Sequence, residues 1–523
     1  MTAALTAAQR GLSVVVLEKE NKFGGSTARS GGGVWIPGNE VLTAAGVPDD
    51  PARAREYLSR VVGDDVPPSR QDAFLSRGPE MLSFVLRHTP LRFSWVPGYA
   101  DYYPELPGGL AQGRTIEPVP LDGRILGPEL ANLNPPYVST RGVTVTAADY
   151  RWLSLGTRHP RALTRAARVA TRTVVSRITG RKLLSMGQAL CAGLRQGLRS
   201  MDVPVRLGTP LLGLAMGEGR VIGVETPDGV YLARRGVLLA AGGFERNDEM
   251  RKKYQRAPIG TEWTVGAAGS TGDGIAAGLA LGAAIDLMDD AWWGPSFPLT
   301  GGPYFALAER SLPGCLFVNS AGVRFVNEAA PYVDAVHAMY DTGSVPAWMV
   351  FDQRYRNSYL FAGMGPRQPL PGRWYKSGAL VRASTLASLA KRIDVPAKAL
   401  QSTVDRLNGF AASGVDEDFH KGDSAYDKYY GDPRNKPNPC LAPLAKPPFY
   451  AIKVVPGDLG TKGGLRTDEQ ARVLREDGSP IPGLYAAGNT SAAVMGHSYA
   501  GAGATIGPAM TFGYLAVLSM MEE

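Results

Sequence analysis

Cysteine is scarce in this chain of 523 residues, which contains only Cys191, Cys315 and Cys440. The three lie far apart and are odd in number, so the sequence offers no disulfide framework and no zinc-ligand spacing. We therefore expect no metal site and a cytoplasmic location. The sequence also lacks a run of ~18 apolar residues that could span a membrane, and its N-terminus lacks the pattern of a signal peptide.

Neither sign of charge dominates the composition. The formal net charge is +8, and 44% hydrophobic with 20% charged residues is ordinary for a globular protein. A chain of this length exceeds what one core usually holds, so we expect at least two domains. Glycine is abundant, at 64 residues. Glycines between short apolar runs indicate backbone that comes close to a ligand such as a nucleotide.

Part of the basic excess lies in residues 158–182, where a helical spacing relates Arg161, Arg165, Arg168 and Arg172. The simpler interpretation is a solvated helix face. The alternative is peripheral contact of the Arg161–Arg172 segment with an anionic membrane or a partner. Because no aromatic interleaving or nucleic-acid motif accompanies the arginines, we expect no nucleic-acid binding.

The first segment has the pattern of half a dinucleotide-binding unit. Met1–Arg10 favours a helix, and Leu12–Leu17 is an apolar, β-branched run that ends at Glu18, as in a buried parallel strand. Helix, strand and acid are the second half of a Rossmann βαβ unit, in which the acid binds a ribose hydroxyl. The first strand and the G-x-G-x-x-G turn are absent, and we expect in-frame codons upstream of Met1 to encode them. The alternative is a generic αβ start without a nucleotide.

Glycine-containing segments further along favour the nucleotide. Glycine and serine follow the acid at residues 23–27 and 30–33, where backbone N–H groups can approach phosphates. Apolar strands run into Ala-Gly at residues 237–243 and 483–489. Both patterns are typical of backbone that approaches a cofactor.

The N-termini of two predicted helices also favour a nucleotide site. Thr271–Gly274 precedes an alanine-rich segment that predicts a helix over Ile275–Ala284, and residues 501–507 open the last helix. Both starts offer backbone N–H groups at a helix N-terminus, which suits anions.

The middle of the chain differs in character. Residues 292–446 carry aromatics, prolines and mixed helix and strand patterns, and cofactor-like segments return near Pro447. The predicted fold is therefore α/β: a Rossmann-like dinucleotide-binding domain formed by residues 1–291 and 447–523, with an inserted α+β substrate domain of residues 292–446.

Taken together, these segments resemble the fumarate reductase/succinate dehydrogenase flavoprotein superfamily. Essentially the whole chain closely resembles its 3-ketosteroid Δ1-dehydrogenases. The more specific motifs are Asp101–Pro104, Asn327–Tyr332, Asp458–Gly464, and Gly496–Tyr499 with Gly503.

The resemblance implies a reaction and the residues that perform it. A 3-ketosteroid loses a hydride from C1 to flavin N5 and a proton from C2, giving the 1,4-diene-3-one in steroid catabolism. Tyr332 is the implied base and Tyr102 its support, while Tyr499 and the Gly503 N–H bind the C3 ketone. A quinone-type molecule is the implied electron acceptor.

The implied cofactor is FAD, bound by residues of the glycine-containing segments and of the last helix. These residues are Glu18, Gly24, Gly25, Ser26, Thr27, Ser30, Gly31, Gly32, Ala241, Gly242, Gly243, Asp273, Gly488, Asn489, Thr505 and Ile506.

Donors on the ketone oxygen would stabilise the enolate that develops as the C2 proton leaves. A tyrosine base with an ordinary pKa near ~10 needs stabilisation of its phenolate, and we expect a neighbouring hydroxyl or positive field to lower that pKa. Many relatives have prolines where this chain has Ala500 and Ala502, so a less rigid loop is expected beside Tyr499. His497 is interpreted as structural.

Two alternatives remain open at this stage. One is a related flavoenzyme, either a 3-ketosteroid Δ4-(5α)-dehydrogenase or a fumarate reductase-like enzyme. The other is a truncated, non-catalytic remnant. An apolar ketone fits better than a dicarboxylate because fumarate reductases use arginine and histidine where this chain offers Tyr332 and Thr461-Lys462.

Overall fold

A computed structural model describes residues 1–138 and 142–522. In this part of the chain, helices α1 to α17 span Thr2–Gln9, Gly25–Arg29, Glu40–Ala44, Pro51–Val62, Pro68–His88, Ala147–Leu153, Pro160–Ile178, Met186–Arg199, Asp248–Tyr254, Asp273–Leu279, Tyr332–Asp341, Gln353–Ser358, Gly372–Lys376, Leu386–Arg392, Ala397–Ser413, Ala425–Tyr429 and Ile506–Glu522. Strands β1 to β21 span Val16–Leu17, Val34–Trp35, Phe93–Trp95, Thr115–Pro118, Leu121–Asp122, Leu183–Leu184, Val205–Arg206, Gly213–Gly217, Arg220–Thr226, Gly229–Leu232, Val237–Leu239, Ile285–Asp286, Ala291–Phe297, Tyr304–Phe305, Cys315–Val318, Ala347–Asp352, Leu380–Ala383, Phe449–Thr461, Gly464–Leu465, Arg472–Leu474 and Pro480–Ala486.

Parallel pairing occurs in the two regions where the cofactor segments were expected. Strand β1 pairs with β7, with Val16 opposite Val205, and β11 pairs with β21, with Leu238 opposite Tyr485. Strands β8, β9 and β10 form a separate antiparallel sheet. Helix α17 packs against α1 and α5. The architecture is thus a mixture of helix and sheet, and parallel strands are confined to small sheets.

A six-stranded sheet organises the middle of the chain. Its order is β14-β13-β18-β16-β15, with β17 paired to β18, and all of these pairs are antiparallel. Strand β13 is buried at every position, from Ala291 to Phe297. Strands β13 and β18, of 7 and 13 residues, are the longest neighbours in this sheet.

Two predicted elements differ from the structure in extent. The run Leu12–Leu17 is a strand only at Val16–Leu17, where β7 supplies hydrogen bonds, and its earlier residues line a large cavity. The helix predicted over Ile275–Ala284 is instead α10. It ends at Leu279, and Gly282 just beyond adopts the left-handed conformation that breaks a helix. The helix at the chain start is confirmed as α1.

The predicted arginine-bearing helix is confirmed as α7, but its arginines do not share one role. Arg165 and Arg172 bind the buried carboxylate of Asp149 at 3.3 and 2.7 Å. Arg161 lies over the ring of Trp152, 5.0 Å from its centroid. A buried carboxylate requires such partners, so part of the predicted solvated face serves the fold. In the described residues, no helix has the length and apolarity needed to cross a bilayer.

Candidate active site

A single cavity of about 2600 Å³ runs from the N-terminal segments to the middle sheet. It brings together nearly all the residues singled out in the sequence. At one end it is lined by the glycine-containing segments, and at the other by aromatic side chains. The predicted residues that line it are Glu18, Gly24, Gly25, Ser26, Thr27, Ser30, Gly31, Gly32, Tyr102, Ala241, Gly242, Asp273, Tyr332, Gly488, Asn489, Tyr499, Gly503, Thr505 and Ile506.

Gly243 is the exception: it does not line the cavity, and its part in binding the cofactor stays a prediction. A Cβ atom at this position would lie 2.1 Å from Oγ1 of Thr461 and 2.8 Å from Oε2 of Glu245. Gly243 therefore faces protein, and its small size lets the Thr461 hydroxyl accept a hydrogen bond from the Phe244 N–H at 3.1 Å. The neighbouring Glu245 lines the cavity instead.

The glycine-rich end has the close backbone approaches expected of a nucleotide site. Gly32 adopts a positive φ of 65°, and a Cβ there would meet the Gly187 nitrogen at 2.4 Å. This contact packs the turn after α2 onto the first residues of α8. The chain can thus present Gly31 and Gly32 to the cavity without side chains in the way.

Two carboxylates flank this end of the cavity. Glu18 follows β1 directly, as predicted, and burial raises the pKa of its carboxyl. Asp273 begins α10, where Lys19 binds it at 2.6 Å and Thr271 donates a hydrogen bond to it at 2.6 Å. Asp273 is the first residue of α10, the helix start that the sequence suggested for an anion, and no side chain among the described residues caps the N–H groups of that helix.

Three tyrosines meet at the other end. The Tyr102 hydroxyl donates a hydrogen bond to the Tyr332 hydroxyl at 2.8 Å. The ring of Tyr499 lies 5.5 Å from that of Tyr332 and 5.0 Å from that of Tyr102, centroid to centroid. The neighbouring Tyr103 instead donates to Asp334 at 2.8 Å, which distinguishes Tyr102 from its neighbour as the partner of Tyr332.

Buried ionic contacts hold Tyr332 at the first turn of α11. Glu328, four residues earlier, binds Arg324 at 2.9 Å and Lys421 at 3.2 Å. The Arg310 guanidinium donates to the main-chain oxygens of Glu328 and Ala330. The Asn327–Tyr332 motif is therefore a support for one tyrosine as much as a source of functional groups.

The loop before α17 carries Tyr499 and Gly503 and is tied down at three points. The Ala500 carbonyl accepts from the Tyr57 hydroxyl at 2.6 Å and from the Tyr102 N–H at 3.1 Å. The Ala502 carbonyl accepts from the Thr115 hydroxyl at 2.9 Å. These hydrogen bonds restrain the loop that was expected to be less rigid. They also couple the backbone of Tyr102 to the loop that presents Tyr499.

Gly503 meets a strict steric requirement. Its φ is 100°, and a Cβ there would lie 2.5 Å from the Gly33 carbonyl carbon and oxygen. Only glycine allows this approach of the two backbones. The Gly503 N–H thus belongs to a segment that lies against the glycine-rich end while it lines the same cavity as Tyr499.

Burial dominates the acid–base properties of the tyrosines. It raises the pKa of Tyr332 and of Tyr102 well above the ordinary value, and it raises the pKa of Tyr499. The hydrogen bond from Tyr102 acts in the opposite direction on Tyr332. The expected net lowering by a neighbour is therefore not found, because desolvation outweighs the hydroxyl.

A buried ion pair close to Tyr499 was not predicted from the sequence. Lys462 binds Asp290 at 2.9 Å, and its ammonium donates to the Ser498 carbonyl at 3.0 Å. His337 lies 2.9 Å from the same Asp290. Burial lowers the pKa of Lys462, whereas its charge helps to hold the pKa of Asp290 below the usual range despite burial. The Asp458–Gly464 motif offered the signal, since it contains this lysine.

Two further residues were also missed around the tyrosines. The ring of Trp292 lies 4.9 Å from that of Tyr499, and its indole N–H donates to Asn489 at 3.0 Å. Tyr426 packs on Tyr102 at 4.6 Å. His497 lies between Asp65 at 2.8 Å and Asp289 at 3.6 Å, contacts that agree with the structural interpretation.

FAD fits the donor set and shape of the glycine-rich end. Glycines contribute much of the cavity wall there, and Glu18 lies at the end of a strand that pairs in parallel. The Glu18 carboxylate could accept a hydrogen bond from a ribose hydroxyl, and main-chain N–H groups in the turns around α2 would be available to phosphates. The aromatic end of the cavity suits a flat apolar molecule that would lie next to the flavin ring.

Comparisons with known proteins agree with this geometry. The 3-oxosteroid 1-dehydrogenase of Mycobacterium tuberculosis is 57% identical over 542 residues, covering 100% of this chain and 96% of that protein. The enzyme of the same name from Mycolicibacterium smegmatis is 55% identical over 99% of this chain and 95% of its own length.

A solved structure is also similar. It is the 3-ketosteroid Δ1-dehydrogenase of Sterolibacterium denitrificans in complex with 1,4-androstadiene-3,17-dione, with 40% identity and a TM-score of 0.94. The match covers 100% of this chain and 97% of that one.

Residues 1–506 match the family described as FAD binding domain. The predicted cofactor, FAD, is thereby confirmed, and so is the resemblance stated from the motifs. The chain belongs to the FAD-binding flavoprotein family and, within it, to the group of the 3-oxosteroid 1-dehydrogenases.

Proposed function

We propose that this protein is an FAD-dependent 3-oxosteroid 1-dehydrogenase, which converts 3-ketosteroids to their 1,4-diene-3-ones. The observation that carries the proposal is the 2.8 Å hydrogen bond between the Tyr102 and Tyr332 hydroxyls, with Tyr499 beside them. The names of the most similar relatives support the same activity. Bound FAD supplies the hydride acceptor for the C1 hydrogen.

Each tyrosine receives a distinct role. Tyr332 takes the C2 proton, and Tyr102 stabilises the resulting phenolate through the hydroxyl that already donates to it. The Tyr499 hydroxyl and the Gly503 N–H bind the C3 oxygen and stabilise the developing enolate. The Tyr499 hydroxyl already accepts a hydrogen bond from Thr505 at 3.0 Å, which leaves its own proton free to point at the ketone.

The surroundings of the tyrosines favour an apolar ketone over a dicarboxylate. The wall next to them is formed by aromatic rings, including Tyr99, Phe305 and Tyr430. Arg310 lies 6.0 Å from the Tyr332 ring centroid but is engaged by main-chain oxygens and the Tyr426 hydroxyl. A dicarboxylate would need a free cation at this position, whereas a steroid ring system needs apolar area.

The cofactor contacts predicted from the sequence complete the proposal. Glu18 binds the ribose, and the turns at residues 24–32 bind the phosphates. Residues 241–242, 488–489 and 505–506 lie along the flavin. We further propose that the two parallel strand pairs belong to a Rossmann-like cofactor domain of residues 1–291 and 447–523, and that residues 292–446 form the substrate domain. Strand β18 connects the two domains, because it belongs to the second cofactor segment by residue number and pairs with β13 and β16 of the middle sheet.

The electron acceptor in this proposal is quinone-type, and α7 brings the protein to the membrane that holds it. The outward face of α7 exposes Leu163, Val174 and Ile178, the last at 80% exposure, and Arg168 and Arg177 are exposed on the same helix. An apolar stripe beside cations suits an anionic bilayer surface.

Co-sedimentation with anionic vesicles tests the membrane contact. The protein should pellet at low salt, and replacing Val174 and Ile178 by serine should release it. Leu232→Ser is the matched control, because Leu232 is 75% exposed on β10. Absence of vesicle binding by the parent protein at low salt would rule the contact out.

A product assay tests the activity itself. FAD-loaded protein is mixed with 4-androstene-3,17-dione and a quinone, and the steroid is analysed by mass spectrometry and NMR. Formation of 1,4-androstadiene-3,17-dione supports the proposal. The same assay is run with a 5α-reduced 3-ketosteroid, and dehydrogenation at C4–C5 without any Δ1 product would favour the Δ4-(5α) alternative. Failure to bind FAD would favour the non-catalytic one.

A further inference from the structure

We propose that a second cavity, which shares the lining residue Gln368 with the main one, binds a phosphoryl group. Its volume is about 650 Å³, and it is walled by α12, β17 and the loop of residues 367–370. The arginines that line it are Arg356, Arg367, Arg382 and Arg392. The proposal goes beyond the dehydrogenase activity and does not depend on it.

The charged side chains that line this second cavity are all positive. Among the described residues that line this cavity, none is an aspartate or a glutamate. Elsewhere in the fold, Arg165 and Arg172 lie together because both bind the carboxylate of Asp149. Four guanidinium groups around one space without an acid create a strongly positive potential there, which an anion would neutralise.

Arg356 gives the site a built, buried donor. Its side chain is only 2% exposed, and its Nη2 donates to the Gly365 carbonyl at 2.8 Å and to the Gln368 carbonyl. In the described part of the chain, its Nε and Nη1 atoms have no hydrogen-bond partner. Burial without a counter-ion also lowers the pKa of this guanidinium.

The buried Arg356 guanidinium, which has no carboxylate partner among the described residues, determines the ligand chemistry. An unpaired buried cation is costly, so an anion that satisfies it gains both the charge and the hydrogen bonds. The guanidinium fork matches two oxygens of a phosphoryl group. The exposed Arg382 and Arg392 stand at the rim, and the Arg392 guanidinium donates to the Arg382 carbonyl at 2.9 Å.

A tyrosine forms the apolar side of the site. Tyr450 is 5% exposed, and its hydroxyl donates to Gln353 at 2.6 Å. The Arg382 guanidinium lies 5.9 Å from the Tyr450 ring centroid, and Tyr375 lines the same space. These rings hold one rim arginine in place and leave room for an organic portion attached to the phosphoryl group.

The two cavities meet at Gln368, which lines both. Arg373 and Trp374 line the main cavity nearby in sequence. Because the two cavities share the lining residue Gln368, two sources of the phosphoryl group fit this arrangement. One is a substrate whose distal end carries the phosphate, and the other is a separate phosphorylated molecule. The experiment has an arm for each.

Isothermal titration of the FAD-saturated protein with inorganic pyrophosphate tests the site. Arg356→Gln should weaken binding at least tenfold. Arg354→Gln is the matched control on the same helix, because Arg354 donates to Asn435 at 3.1 Å and does not line the cavity; it should bind like the parent. Equal affinity in all three proteins, or no binding to the parent, would overturn the proposal.

The double variant Arg382→Gln, Arg392→Gln keeps the test valid if Arg356→Gln fails to fold, because both side chains are exposed. It should also lose at least tenfold in affinity, and unchanged affinity would count against the site. For the source, kcat/KM for testosterone is compared with that for its 17-phosphate ester. A preference for the ester that disappears in the variants identifies the substrate as the carrier. Pyrophosphate binding without such a preference identifies a separate ligand.

Discussion

The Tyr102 hydroxyl donates to the Tyr332 hydroxyl at 2.8 Å, although the two residues are 230 positions apart in the chain. Tyr102 lies in a loop whose backbone is tied to Ala500, and Tyr332 begins α11. The hydrogen bond therefore joins the N-terminal part of the chain to the middle part. Because a donor stabilises a phenolate more than a phenol, this contact supports the proposed role of Tyr332 as the proton acceptor.

Tyr332→Phe should abolish turnover while FAD and steroid still bind. The ring of Phe keeps the packing against Phe305, at a centroid distance of 5.2 Å in the parent protein, but it cannot accept a proton. The measurements are steroid-driven flavin reduction and steroid titration by flavin absorbance. Full activity in this variant would remove Tyr332 from the mechanism.

Tyr102→Phe should move the pH dependence of flavin reduction to higher pH. A base acts only when it is deprotonated, so a higher pKa moves its activity to higher pH. Burial raises the pKa of Tyr332, whereas the hydrogen bond from Tyr102 lowers it. Losing the donor raises the pKa of Tyr332 further, so the rising limb shifts toward alkaline pH. Tyr103→Phe is the control, since Tyr103 donates to Asp334. An unshifted limb in Tyr102→Phe would contradict the role.

Tyr499→Phe should slow flavin reduction by about 10²–10³-fold, the usual cost of one lost donor to an oxyanion. The ring contacts with Trp292 and Tyr332 remain possible. The pH limb should not move to higher pH, because Tyr332 keeps its donor from Tyr102 and Tyr499 itself raises the pKa of Tyr332. A loss confined to KM, with kcat unchanged, would assign Tyr499 to ground-state binding alone.

Much of this site was predictable because its residues lie in short motifs. The sequence located Tyr332 within Asn327–Tyr332 and Tyr499 after Gly496, and the structure brings both to one cavity. The sequence Ala-Gly-Gly does not reveal which glycine faces the cavity and which faces Thr461, as Gly243 does.

Contacts between residues that lie far apart in the chain could not be predicted from the sequence. Nothing in the pattern pairs Lys462 with Asp290, which is 172 positions away. The length of β1 also depends on its partner: only two residues of an apolar run pair with β7. Local patterns specify types of element, whereas tertiary contacts set their ends and partners.

Lys462→Met should reduce kcat by roughly tenfold or more without displacing FAD. Lys462 donates to the Ser498 carbonyl and so positions the loop that presents Tyr499. Removing one member of a buried ion pair also costs about 3–5 kcal/mol of stability, so assays are made well below the melting temperature. Lys453→Met, on β18, is the control, because Lys453 lies over Trp348 at 5.5 Å. If both variants lose activity equally, Lys462 has no specific positioning role.

Glu245→Gln should stabilise the protein at alkaline pH. Burial, and then the charge of Asp458, raises the pKa of Glu245 from 4.5 to about 7. A carboxyl with a raised folded pKa favours folding below its unfolded pKa, and this contribution is lost as pH rises toward the folded pKa. The whole shift corresponds to about 3 kcal/mol.

Denaturant unfolding of the FAD-saturated protein checks this at two pH values. Between about pH 5.5 and about pH 8.5, the parent should lose about 2 kcal/mol of unfolding free energy relative to Glu245→Gln, because only the parent must ionise this buried group. Glu225→Gln, at an exposed position of β9, should follow the parent at both pH values. A pH-independent difference between parent and Glu245→Gln would mean that Glu245 is already charged at the lower pH. Its burial beside Asp458 would then have to be offset by contacts that the substitution also removes.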